Sequence, residues 1–76
     1  MTVNELFDHF TSFPDEITFY DPKENVQDSV HVALITDEGE TEYDCDGYCD
    51  FLDEYGNRIV EDWNFILNKI MDLILR

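Results

Sequence analysis

Within Thr41 to Asp53, read TEYDCDGYCDFLD, carboxylates recur at a spacing that suits a cation. Counted from Glu42 as position 1, Asp44 falls at 3, Asp46 at 5, Gly47 at 6, Asp50 at 9 and Asp53 at 12. That is close to the ligand spacing of a helix–loop–helix calcium loop, in which alternate oxygens wrap the ion and a glycine makes the sharp turn. Three departures count against it. Such loops begin with Asp and end with a bidentate Glu, and they need a helix leading in, whereas the residues before Glu42 form a Gly-containing turn and a β-pattern. The expectation is therefore weak cation binding by an acidic surface, not a dedicated calcium site, and no bound cofactor. Zinc has a set of four donors in Cys45, Cys49, His9 and His31, but the Cys-x-x-x-Cys spacing is wide and the histidines lie far upstream. Both cysteines read more simply as small inward-facing hydrophobes. Nucleophilic or acid–base catalysis lacks a Gly-rich phosphate loop, a patterned Ser/Cys–His pair and room for a pocket, so no enzyme is expected.

The whole chain supports a different use of these acids. It has 76 residues, with 19 Asp and Glu against four Lys and Arg, for a formal charge of -15. Hydrophobic residues at 43%, with 14% aromatic, are enough for one small globular domain with a thin core. No Lys or Arg falls between Glu24 and Asn57, and nine acids lie from Asp37 to Glu54. Charge at this density opposes compaction, so the partner it implies is strongly basic. Direct contact with nucleic acid or an anionic membrane is disfavoured, because nothing positive is present to neutralise phosphates. The C-terminal run from Ile59 to Leu75 is too interrupted by polar residues to span a bilayer. Two cysteines without a disulfide framework, and no hydrophobic leader, point to a reducing cytoplasm.

The elements that must carry these side chains follow from periodicity. Thr2-Val-Asn-Glu5 is a capping box opening a short amphipathic helix that Phe13-Pro14 stops. Ile17 to Tyr20 reads as a first strand. Ser29 to Thr36, apolar on both faces, reads as a central second strand. Asp37-Glu-Gly-Glu40 is a turn, and Thr41 to Cys45 pairs back as a third strand with Tyr43 and Cys45 inward. Asp46 is the expected N-cap of a second helix ending at Gly56. From Arg58 to Leu75 a third helix is expected, with its apolar arc spread over Ile59, Val60, Trp63, Ile66, Leu67, Ile70, Met71, Leu73 and Ile74. Phe65 falls on the polar side of that helix. The fold class expected is α+β: a three-stranded antiparallel sheet with helices packed on one face, in the order α-β-β-β-α-α.

On such a strand, outward carboxylates recur about every 6.5 to 7 Å. A DNA strand offers one negative charge per ~3.4 Å of helix axis, so an ordered anionic ridge can enter a cationic groove built for phosphates. In size, in the opening Met1-Thr-Val-Asn-Glu-Leu6 helix, in the strand–turn–strand from Val30 to Tyr43 around Asp-Glu-Gly-Glu, and in expected element order, the chain resembles the small acidic phage anti-CRISPR proteins. These inhibit RNA-guided nucleases by imitating DNA. The resemblance implies a stoichiometric inhibitor seated in the DNA-recognition groove of a CRISPR nuclease in the host cytoplasm. The residues that match that role are Asp37, Glu38, Glu40, Glu42, Asp44, Asp46, Asp50, Asp53 and Glu54, with Tyr48 and Phe65 as apolar anchors. Alternatives of other classes are an acidic calcium- or metal-binding module, an inhibitor of a restriction or DNA-repair enzyme, and a homodimer joined through the C-terminal helix.

Overall fold

A computed structural model describes all residues from Met1 to Arg76. The elements are α1 (Val3–Asp8), β1 (Glu16–Asp21), β2 (Val26–His31), β3 (Ala33–Ile35), β4 (Thr41–Tyr43), α2 (Cys45–Tyr55), β5 (Val60–Ile66) and β6 (Ile70–Leu75). Four strands form one mixed sheet in the order β2-β1-β6-β5, and β3 and β4 form a separate two-stranded ribbon. The central pair β1 and β6 is parallel, and the other neighbours are antiparallel. This overturns the expected three-stranded sheet and the third helix. It also removes the C-terminal helix as a dimer seam.

Residues 58–75 form a hairpin because their apolar residues satisfy two periods at once. Val60, Phe65, Met71, Leu73 and Leu75 lie on the face that meets the core, with Trp63 opposite Leu73 at its margin. In the strand, Phe65 finds the place in the core that a helix denies it, packing edge-on against Phe10 with ring centroids 5.0 Å apart. The segment is rich in Ile, Val, Trp and Phe, which suit a pleated surface better than a helix. Its reversal occurs at Leu67 and Asn68, both at positive φ (53° and 56°), with the Lys69 N–H donating to the Ile66 carbonyl at 2.9 Å. Two consecutive residues at positive φ match the twist of a tight hairpin.

The expected central strand from Ser29 to Thr36 is broken at Val32, which is fully buried and whose N–H, like that of Ala33, donates to the Asp15 carbonyl. The break makes β2 the edge of the main sheet and lets β3 leave it. At the N-terminus the capping box forms as its spacing indicates: Glu5 N–H donates to Thr2 Oγ1 and Thr2 N–H to Glu5 Oε1. Val3, Leu6 and Phe7 of α1 and Phe51 of α2 pack on Ile17, Phe19, Met71, Leu73 and Leu75 of the two central strands. Both helices cover the same face of the sheet. The other face, with Thr18, Tyr20, Ile70, Asp72 and Ile74, has no covering element.

At one end of the sheet Asp21, only 2% exposed, receives two hydrogen bonds from Arg58, Nη1 to Oδ2 at 2.9 Å and Nη2 to Oδ1 at 2.7 Å. Arg58 Nη2 also donates to the Arg76 carbonyl, so one guanidinium ties the end of β1 to the chain's last residue. Planar two-point pairing of this kind is the strong form of the ion pair. The fork holds the Asp21 carboxyl below its ordinary value, and pairing with Asp21 raises Arg58.

Candidate acidic interface

The ribbon and α2 carry the acidic stretch. Between β3 and β4 the chain reverses through Asp37, Glu38 and Glu40, with Gly39 at φ 80°. That φ suits glycine because no Cβ then meets the backbone. All three acids are exposed, as is Glu42 on β4. The expected ladder of outward carboxylates does not continue past Glu42, because β4 ends at Tyr43. Asp44 is instead the N-cap of α2, where its Oδ1 accepts from the Gly47 N–H at 2.9 Å. Capping by Asp satisfies an amide that the helix itself leaves unpaired. Gly47 suits this cap, since a Cβ there would lie 2.7 Å from Asp44 Oδ2. Asp46, expected as the cap, is the first-turn acid inside the helix.

On α2, Asp46, Asp50, Asp53 and Glu54 are exposed and spaced at i, i+4, i+7 and i+8, which sets them side by side along the solvent face. One step of four residues is about 6 Å along the axis, so the helix supplies the regular spacing first assigned to a strand. Tyr48 and Phe51 turn inward. Tyr48 packs against Phe7 and Phe13, with centroid distances of 5.6 and 4.9 Å, and is a partly buried core residue, not a free anchor. Burial raises its phenol above the ordinary value, and does the same for Tyr55. Phe65 lies on β5, at the opposite edge of the sheet from β2, which α2 flanks, so it is separated from the acids.

Sequence reasoning missed Asp28. Lys23 to Asp28 is polar enough to resemble a loop, yet Val26 to His31 is β2, and Asp28 lies opposite Phe19 on the helix-covered face. Between β2 and α2 runs a groove of about 480 Å³ whose carboxylates are Asp28, Asp44, Asp50 and Glu54, with His31 at its rim and Phe19, Phe51 and Tyr55 as its apolar wall. The available signal was Val26 and Val30, each two residues from Asp28 and so on the same face of a strand.

The calcium spacing does not become a site. Asp46, Asp50 and Asp53 radiate from a helix, Asp44 is engaged with its own helix, and no three His, Cys, Asp or Glu side chains come together in an arrangement able to hold a metal ion. Cys45 and Cys49, expected to face inward, are both exposed on α2, and Tyr43 is exposed as well. None of the nine acids from Asp37 to Glu54 takes part in an ion pair. The three pairs in the molecule are Asp21–Arg58, Glu61–Arg76 and Glu16–His31.

No family model matches this chain, and neither a curated protein nor a solved structure resembles it in comparison. No helix is long and apolar enough to cross a membrane.

Proposed function

We propose that the protein is a stoichiometric inhibitor that imitates DNA and occupies the nucleic-acid-binding groove of a host-defence nuclease, in the manner that the sequence pattern shared with small acidic anti-CRISPR proteins implies. The observation that supports this reading is the uncompensated charge: nine acids in 18 consecutive residues, eight of them exposed, with no ion pair among them. A surface built only for solubility intersperses both signs. Here the few bases are spent elsewhere, Arg58 on Asp21 and Arg76 on Glu61. The phosphate surrogates are the turn acids Asp37, Glu38 and Glu40, then Glu42, and the helix acids Asp46, Asp50, Asp53 and Glu54. Asp44 acts through the helix it caps.

The test is competition. Purified RNA-guided nucleases are titrated with the protein in the presence of labelled target duplex, across a range of salt concentrations. DNA binding is expected to be lost at one equivalent of protein, with apparent affinity falling steeply as salt rises. The double variant Asp46→Asn/Asp50→Asn should weaken inhibition at least tenfold, whereas Asp8→Asn/Glu24→Gln, neutral changes of equal size outside the stretch, should weaken it little. Equal losses from the two variants would show that net charge alone matters and would overturn the reading. The same assay with restriction and repair enzymes decides whether the target class is instead one of those.

A further inference from the structure

We propose a second, apolar docking site at the end of the sheet remote from the Asp21–Arg58 pair, where an extended basic segment of a partner protein adds to the outer edge of β3 and inserts one aliphatic side chain beside Ile35. The side chains that line the site, Thr41 apart, lie outside the acidic stretch, of which only the turn acids Asp37, Glu38 and Glu40 flank it, and the inference does not rest on the DNA-mimic reading.

Four observations converge there. A groove of about 320 Å³ is lined by Ala33, Ile35 and Thr41 from the ribbon, Leu67 from the β5–β6 turn, Ile70 at the start of β6, and Asp15, Glu16, His31 and Lys69. Ile35 and Leu67, 77% and 83% exposed, are the two most exposed large hydrophobic residues of the molecule, and both line it. Leu67 also sits at a φ of 53°, a conformation that a leucine adopts at a cost and that an Asn or Gly would adopt freely. A residue that is both strained and solvent-exposed gains nothing for the fold, and such residues gather at binding sites.

The fourth observation is the strand edge itself. β3, Ala-Leu-Ile, is the one edge strand without a polar or charged side chain; β2, β4 and β5 carry Asp28, Glu42, and Glu61 with Asp62. Charges on an edge are the usual protection against strand addition, and β3 lacks them. In the β3–β4 ladder Leu34 lies opposite Glu42, the Asp44 N–H donates to Val32 and the Thr36 N–H to Glu40. Ladder bonds in an antiparallel pair alternate, so the N–H and C=O of Ile35 point away from β4. The outward N–H of Ala33 is already bonded to the Asp15 carbonyl, so an added strand pairs with Ile35 alone, and its residue opposite Ile35 shares Ile35's face and enters the groove.

Charge selects the occupant. Glu16 and Asp15 lie at one end of the groove and the turn acids Asp37, Glu38 and Glu40 follow β3 at the other, against the single base Lys69. A segment with an aliphatic residue flanked by Arg or Lys is complementary. A second copy of this chain is not, since it would set -15 against -15 and bring like acidic turns together.

The test uses the full chain and the peptide Lys-Thr-Arg-Leu-Arg-Thr-Lys, acetylated and amidated, in three forms: unmodified, N-methylated at Leu, and N-methylated at both Arg. Binding is followed by amide chemical shifts at 150 mM salt. Expected are shifts centred on Ala33, Ile35, Leu67 and Ile70, loss of binding for one methylation pattern only, and at least tenfold weakening by Ile35→Ser and by Leu67→Asn. Both side chains are solvent-exposed, so these variants retain the fold, which the same spectra verify. Asp46→Asn/Asp50→Asn should change peptide affinity by less than about threefold, because exposed charges contribute little at this salt. Absence of binding at millimolar peptide, equal tolerance of both methylation patterns, shifts confined to α2, or a sedimenting dimer that Ile35→Ser dissolves would each overturn the proposal. Because the nuclease assay is read at the α2 acids Asp46 and Asp50 and the peptide assay at Ile35 and Leu67, failure here leaves the inhibitor reading standing, and the reverse also holds.

Discussion

Asp21 is the only buried charged residue, and its position explains why the molecule retains a carboxylate where apolar packing would otherwise serve. Its two oxygens are matched by the Arg58 fork, and the same guanidinium reaches the carbonyl of Arg76. Removing one partner strands the other in a dry site, which costs more than the pair itself contributes. Asp21→Asn is therefore expected to lower Tm more than the neutralisation of any exposed acid. The pH dependence has a definite sign. The folded Asp21 is depressed below its ordinary value of 3.8 by the Arg58 hydrogen bonds, so its contribution is present above that value and is lost as pH falls through the folded pKa. Thermal melts of the wild type and of Asp21→Asn, recorded from pH 7 downward, should differ by a constant amount until about pH 4 and converge below it. A gap that persists into strong acid would show that Asn disrupts packing and not charge pairing.

At the scale of elements, the β5–β6 hairpin shows what the sequence can and cannot disclose. The capping box at Thr2 and Glu5 and the turn at Gly39 were legible because each depends on neighbours within four residues. The hairpin was not, because Ile, Leu and Val stand at so many positions from 59 to 75 that a 3.6 period and a 2 period both fit. Two residues held the discriminating information. Phe65 had no place on the helix and finds one in the strand, and Asn68 is a residue that accepts positive φ. Leu67 masked the turn, since leucine is uncommon in that conformation. Likewise the acidic stretch was legible as a charge anomaly, while its spacing was assigned to a strand that in fact ends at Tyr43, since an Asp followed three residues later by Gly47 signals a cap only once the helix start is known. The strained Leu67 yields its own prediction. Leu67→Asn relieves a left-handed leucine at no loss of burial and should stabilise the protein by about 1 kcal/mol, or roughly 4–8 °C in Tm for a domain of this size. Calorimetry checks it, and an unchanged or lowered Tm would mean that the leucine side chain supports the fold.

The whole molecule is a small body, 12.4 Å in radius of gyration, that carries a charge of -15. Its extents of 40 × 25 × 22 Å exceed the Debye length of about 10 Å at 0.1 M salt but match the roughly 30 Å at 0.01 M. Most of its acids therefore repel one another across the entire structure at low ionic strength, and this repulsion opposes folding while it steers a cationic partner. The two consequences can be separated by one pair of substitutions. Asp50→Asn/Glu54→Gln removes two adjacent charges on the solvent face of α2 without touching a hydrogen bond that the fold uses, so Tm should rise at 10 mM salt. At 1 M salt the Debye length falls to about 3 Å and the gain should nearly vanish, while the wild type itself gains stability as salt is added. The same variant should inhibit the nuclease less well at every salt concentration where inhibition is measurable. A protein selected only to stay soluble would gain stability from this change and lose nothing. Parallel loss of inhibition is what distinguishes a surface retained for its partner, and its absence would leave the acids as a solvated face.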